Sequence, residues 1–260
     1  MAHGTKGADA AVRVERFGSF DGNELAVHQI GEGRPVVLLH GLFSSVEMNW
    51  IKFGHATMLA EAGFRVIMPD LRAHGSSAKS HHALDYPFGV LTRDLLALVA
   101  HFDFDDYDLV GFSLGARTAA KGVIDGLSPR RLALCGMGLE GLSGWANRAA
   151  FFIDAIDRYD TIKRNDPAFM AKSFMKTMNI DREAARLLLG AVDDVSRGDL
   201  AQITMQTAVI CGNQDNDNGS AKDLALALPD GRYREIPGTH MSSVARPELG
   251  EAIVEFLEGS

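Results

Sequence analysis

The stretch Val110-Gly111-Phe112-Ser113-Leu114-Gly115 constrains this chain most. It reads G-x-S-x-G. It follows the apolar pair Leu109-Val110, which suits the end of a buried strand. It leads into Ala116-Arg117-Thr118-Ala119-Ala120, whose small residues suit the sheet-facing side of a helix. A serine on a sharp strand-to-helix turn has a crowded backbone, and glycines on both sides relieve the crowding. Such a turn holds the hydroxyl out where a small molecule can reach it. The following helix offers free N–H groups and a positive dipole end to developing negative charge. The bare pattern also occurs in ordinary tight loops, so its meaning depends on what the rest of the chain supplies.

The rest supplies an alternating rhythm. Residues 12–17 and 24–29 alternate around Asp21-Gly22-Asn23, a hairpin signal. Apolar runs at 35–39, 64–68, 107–110, 131–135 and 207–211 suit strands covered on both faces. Helices are expected over 50–62, 85–102 and 114–125, the second from Leu91, Leu95, Leu96 and Val99 near helical spacing. Strand and helix in alternation define an α/β chain with a doubly wound, mostly parallel sheet. The rhythm stops near Gly141. Residues 143–206 show no strand but three helical stretches, 146–159, 167–178 and 182–192, rich in Phe and Met. We read a core of residues 1–140 and 206–260 with a helical cap inserted at 141–205. A helix at 220–228, a short strand at 233–236 and a helix at 248–257 close the chain. The first residues, to about Ala11, are small and polar and expected to be loose.

Length and composition narrow the function classes. A chain of 260 residues can bury one sizeable core. Its net charge of −8 carries no basic stripe, which argues against nucleic acid or an anionic membrane as partner. No apolar run approaches the roughly 20 residues of a membrane helix, and the first residues lack the apolar centre of a signal peptide. Cys135 and Cys211 end apolar runs and make no disulfide framework, so a reduced, cytoplasmic setting is expected. Without a C-x-x-C or H-E-x-x-H pair, no metal is expected.

A serine hydroxyl is a poor nucleophile without a base to take its proton and a group to orient that base. Asp215 lies just past the run at 207–211, and His240 lies in the loop after the last short strand. Groups beyond the carboxyl ends of parallel strands converge on one crevice. The chain order Ser113, Asp215, His240 differs from the other common serine-enzyme orders. Glu140, after the run at 131–135, competes with Asp215 for the acid role.

With these residues in view, the chain resembles the α/β-hydrolase fold of the esterase, lipase and perhydrolase-like group. The resemblance rests on His40-Gly41, Asp70-Leu71-Arg72-Ala73-His74-Gly75-Ser76, Gly111-Phe112-Ser113-Leu114-Gly115, Gly212-Asn213-Gln214-Asp215 and Gly238-Thr239-His240-Met241. It departs at Ala73, where the family often has glycine, and at Met205-Gln206-Thr207, where a proline often precedes the strand. It implies a nucleophile elbow at Ser113 and a catalytic triad with Asp215 and His240. It also implies an oxyanion hole from the N–H groups of Leu42 and Leu114, with Phe43 as the alternative first donor. The expected activity is hydrolysis of small to medium apolar carboxylic esters through an acyl-enzyme, with no cofactor. Candidate cap and pocket walls are Phe43, Phe151, Phe152, Met170, Phe174 and Met175. The same triad also serves C–C bond hydrolases, lactonases, thioesterases and hydroxynitrile lyases. A non-catalytic ligand-binding receptor and a scaffold whose cap meets a partner remain open, and the oligomeric state is not legible.

Overall fold

The computed structural model describes residues 11–259. The stretch expected to be loose therefore lies, apart from its last residue, outside the described residues. The elements are β1 (Arg13–Gly18), β2 (Glu24–Ile30), β3 (Arg34–Leu39), α1 (His55–Glu61), β4 (Phe64–Pro69), α2 (Val90–His101), β5 (Asp108–Phe112), α3 (Leu114–Ile124) and β6 (Arg131–Cys135). The helices α4 (Leu139–Ser143), α5 (Trp145–Asp157), α6 (Phe169–Thr177) and α7 (Arg182–Leu189) follow. The chain ends with β7 (Gln206–Gly212), α8 (Ala221–Ala227), β8 (Gly231–Ile236), α9 (His240–Ser243) and α10 (Pro247–Glu258).

The strands form one eight-stranded sheet in the order β1-β2-β4-β3-β5-β6-β7-β8. β1 and β2 form the expected antiparallel hairpin, β2 pairs antiparallel with β4, and the remaining pairs are parallel. Successive side chains of a strand point to opposite faces, and both faces here are covered. Val36, Leu38, Val110 and Ile210 face one core with Trp50, α1 and α10. Val37, Leu39, Leu109 and Val209 face the other with α2, α3 and α8. That double burial is why the strands read as unbroken apolar runs. Between Cys135 and Gln206 the described chain is helical or irregular with no strand.

Two helices differ from the sequence expectation. The helix expected over 50–62 is split into a π-turn at Glu47–Ile51 and α1, because Gly54 takes the left-handed conformation with φ of 81°. The helix expected from residue 85 starts only at Val90. Pro87 disfavours helix in the residue before it. Gly89, with φ of 73°, resets the chain and donates its N–H to the Ala191 carbonyl at 2.7 Å. The short helices α4 and α9 carry too few residues for a periodic signal.

Candidate active site

Ser113 sits between β5 and α3 with φ of 53°, a left-handed conformation rare outside glycine. Both neighbouring glycines are required by space. A Cβ on Gly111 would lie 2.2 Å from the Gly115 carbonyl oxygen, and one on Gly115 would lie 2.2 Å from the Leu39 oxygen. The G-x-S-x-G pattern is thus the imprint of α3 pressed against β3 and β5. Holding a non-glycine residue in this region costs about 1–3 kcal/mol, which the surrounding packing offsets.

His240 is placed by a different device. β8 ends at Ile236, Gly238 turns with φ of 116°, and Thr239 caps α9. The Thr239 hydroxyl accepts from the Ser242 N–H, and the Ser242 hydroxyl accepts from the Thr239 N–H at 2.8 Å. This reciprocal cap fixes His240 as the first residue of α9. Gly136 leaves room for the imidazole, since a Cβ there would lie 2.8 Å from the Phe112 ring and 3.3 Å from His240 Cε1.

Asp215 follows β7 in a turn tied to the His240 loop, because the Gln214 N–H donates to the Gly238 carbonyl at 2.9 Å. Its Oδ2 accepts from His240 Nδ1 at 2.8 Å, and its Oδ1 accepts from the Asp217 N–H at 3.1 Å. With its Nδ1 proton directed at Asp215, the neutral imidazole leaves Nε2 as acceptor, and Nε2 lies 3.0 Å from Ser113 Oγ. Burial pushes the Asp215 carboxyl up. The His240 hydrogen bond, the Asp217 N–H and the Cys211 thiol, 3.5 Å away, outweigh burial and hold the carboxyl below its ordinary range. Burial and the facing carboxylate push Cys211 up to about 12, which keeps it a thiol. Among the described residues Asp215, Asp217 and His240 also come within metal-ligand spacing, but His240 Nδ1 is already engaged with Asp215.

The rival acid is placed elsewhere. Glu140 Oε2 accepts the Ser220 N–H at 2.8 Å, at the entrance to α8. It lines a polar cleft of about 400 Å³ with Lys222 and Glu235 that touches Asp215 but neither Ser113 nor His240.

The loop after β3 depends on two neutral histidines. His40 Nε2 accepts the Leu71 N–H at 3.0 Å, and His74 Nε2 accepts the Phe43 N–H at 2.9 Å. Burial drives both imidazoles toward the neutral form, His74 to about 3. The Phe43 N–H is therefore committed. The Leu42 N–H has no acceptor among the described residues. The Leu114 N–H, at the first position of α3, has no partner within its helix. Asn49 Oδ1 accepts the Gly41 N–H at 3.1 Å and steadies the loop.

A cavity of about 150 Å³ opens at Ser113 and His240. Of the six candidate wall residues, only Phe174 lines it. Phe43 is 2% exposed and packs edge-to-face on Phe152 at 5.3 Å, and Met175 is 1% exposed in the core. Phe151 and Met170 face solvent. Consecutive helical residues lie about 100° apart around the axis, and here Met175, next to Phe174, is turned into the core while Phe151, next to Phe152, is turned to solvent. The remaining apolar lining comes from Leu42, Met48, Phe53, Phe112, Met241, Val244 and Ala245. Met48, Phe53, Val244 and Ala245 belong to no motif of the sequence, although all four lie within about a dozen residues of His40-Gly41 or His240 along the chain. Among the described residues no Asp, Glu, Lys or Arg side chain lines the cavity.

Comparison with known proteins fits this architecture. A family model described as the alpha/beta hydrolase fold matches residues 34–124. A hydrolase from Pseudomonas aeruginosa PA01 superposes with a TM-score of 0.74 at 22% identity, covering 95% of this chain and 98% of that one. An esterase from Exiguobacterium antarcticum superposes with a TM-score of 0.74 at 20% identity over 94% of this chain and 99% of that one. In sequence, a non-heme haloperoxidase of Rhodococcus erythropolis is 35% identical over 101 residues, covering 39% of this chain and 35% of the relative. The chain spans about a third of the length of the first curated relatives it matches. The chain has the α/β-hydrolase fold. Among the described residues no helix is long and apolar enough to cross a membrane.

Proposed function

We propose that this protein is a serine hydrolase that cleaves carboxylic esters through an acyl-enzyme. One observation carries the reading: the line from Ser113 Oγ to His240 Nε2 at 3.0 Å and from His240 Nδ1 to Asp215 Oδ2 at 2.8 Å. The Ser113 oxygen attacks the ester carbonyl while Nε2 takes its proton. The resulting oxyanion is met by the N–H groups of Leu42 and Leu114. As the carbon–oxygen bond to the alcohol breaks, His240 passes the proton to the leaving oxygen. Water, deprotonated by the same nitrogen, then releases the acid and restores the serine. Asp215 holds the tautomer and stabilises the imidazolium. A preset oxyanion donor is typically worth about a hundredfold or more in rate.

The cavity at Ser113 favours small, apolar, uncharged substrates. The helical segment between β6 and β7 serves as a cap and contributes Phe174 to that cavity. No cofactor takes part, and two buried free cysteines suit a reduced, cytoplasmic setting. The test is release of nitrophenol from p-nitrophenyl esters of rising acyl length, with wild type beside Ser113→Ala. Serine-dependent turnover supports the reading. A well-folded wild type inert toward every ester overturns it.

A further inference from the structure

Two cavities meet at Ser113, and they differ in size and in chemistry. The first is the apolar space of about 150 Å³ already described. The second is a space of about 10 Å³ whose walls include Leu114, Met137, Trp145 and Arg148. Both spaces touch Leu42 and Ser113, but only the larger touches His240 and only the smaller touches Leu114.

Chemistry decides which side of an ester each can hold, granted the serine-hydrolase reading on which this step rests. Once Ser113 Oγ has bonded to the carbonyl carbon, the oxyanion must face the Leu42 and Leu114 N–H groups. The alcohol oxygen must face His240 Nε2, because that nitrogen gives it the proton as the bond breaks. The acyl chain is left pointing away from His240. We infer that the larger cavity takes the alcohol and the smaller takes the acid, so that the enzyme is selective for acetyl-sized acyl groups on ring-sized apolar alcohols.

The volumes set the limits. A space of about 10 Å³ is at the threshold for a single water-sized group, which matches the methyl of an acetyl ester. A cavity of about 150 Å³ is the size that holds one benzene in an engineered protein core, which matches an aromatic or cyclic alcohol. The small cavity is also built to stay small. Met137 is 2% exposed and Trp145 5%, and the Trp145 Nε1–H donates to the Leu189 carbonyl at 3.0 Å. Arg117, which also lines it, is pinned by Asp194 at 2.9 Å and by the Gly141 carbonyl. Arg148 closes another side, its guanidinium donating to the Asp217 carbonyl at 2.9 Å. Met137, Trp145 and Arg117, buried and close-packed, yield little to added methylenes.

The test varies the two halves of the ester separately, with alcohols of similar leaving-group basicity. Acetyl, butanoyl and hexanoyl esters of ethanol and of 2-phenylethanol are compared by kcat/KM, with Ser113→Ala as the blank. The expected result is a fall of about tenfold or more from acetyl to hexanoyl on either alcohol, and a rise of about tenfold from ethyl to 2-phenylethyl at fixed acyl group. Met137→Ala should raise butanoyl relative to acetyl and leave the alcohol preference unchanged, while Phe174→Ala should do the opposite. Serine-dependent turnover that prefers hexanoyl over acetyl, or a Met137→Ala enzyme altered only in alcohol preference, overturns the assignment and leaves the esterase reading standing. Absence of serine-dependent turnover with every ester overturns both.

Discussion

The imidazole of His74 accepts the backbone N–H of Phe43 at 2.9 Å, so the residue beside Leu42 is held while the Leu42 N–H stays without an acceptor among the described residues. The contact needs a neutral Nε2, and burial provides one by holding His74 at about 3, far below its ordinary value of 6.5. Between those values the unfolded chain carries a proton on this ring and the folded protein does not. Unfolding therefore takes up protons, and stability is lost as pH falls through that window. His74→Gln offers a side-chain oxygen to the Phe43 N–H and cannot titrate. It should show a shallower fall of unfolding free energy between pH 7 and 4, by up to about one proton's worth of slope. Denaturant unfolding at several pH values measures it, and parallel curves for the two proteins would refute the role.

Ser113→Ala should cost about a thousandfold or more in kcat while the protein stays folded by circular dichroism. Gly115→Ala should fail in the opposite way. Its Cβ would meet the Leu39 carbonyl at 2.2 Å, backbone that cannot step aside. We expect a loss of about 3 kcal/mol or more in stability, read by denaturant unfolding. A Gly115→Ala protein as stable as wild type would contradict the close approach of α3 to β3.

Asp215→Asn should lower kcat by about ten-thousandfold, because the amide favours the wrong His240 tautomer. Glu140→Gln should leave kcat near wild type, since Glu140 bonds the Ser220 N–H and not His240. Steady-state kinetics on one ester ranks the two variants, and the reverse order would move the acid role to Glu140.

Ala73 occupies a left-handed conformation with φ of 67° and is fully buried. Replacing it by glycine relieves strain of about 1–2 kcal/mol but removes a packed methyl and adds freedom to the unfolded chain. The terms nearly cancel, so Ala73→Gly should stay within about 1 kcal/mol of wild type. Ala119→Gly, buried within α3 at an ordinary helical conformation, has no strain to relieve and should cost clearly more. Thermal unfolding of both checks the difference.

The sheet and the Ser113–His240–Asp215 line were legible because strand burial and glycine crowding both write themselves into sequence. Unbroken apolar runs report two covered faces, and Gly111 and Gly115 report a close approach. The cavity walls were not legible in the same way. Phe151, Met170 and Met175 are apolar like Phe174, and only the rotation of each helix decides which side chain meets the cavity. Met48 and Val244 belong to segments shaped by long-range packing, which local spacing does not encode. The breaks before α1 and α2 turned on Gly54 and Gly89, whose left-handed backbones interrupt patterns that remain periodic in apolar residues.

Cys135 pairs in register with Ile210 across adjacent parallel strands, yet the chain between β6 and β7 travels through four helices before it returns. The entropy of closing such an excursion grows only with the logarithm of its length, about 0.6 kcal/mol per doubling. The sheet is therefore nearly indifferent to how long the detour is. Lineages could lengthen, shorten or exchange it, reshaping what enters the site, while the strand ends that carry Ser113 and Asp215 stay in step.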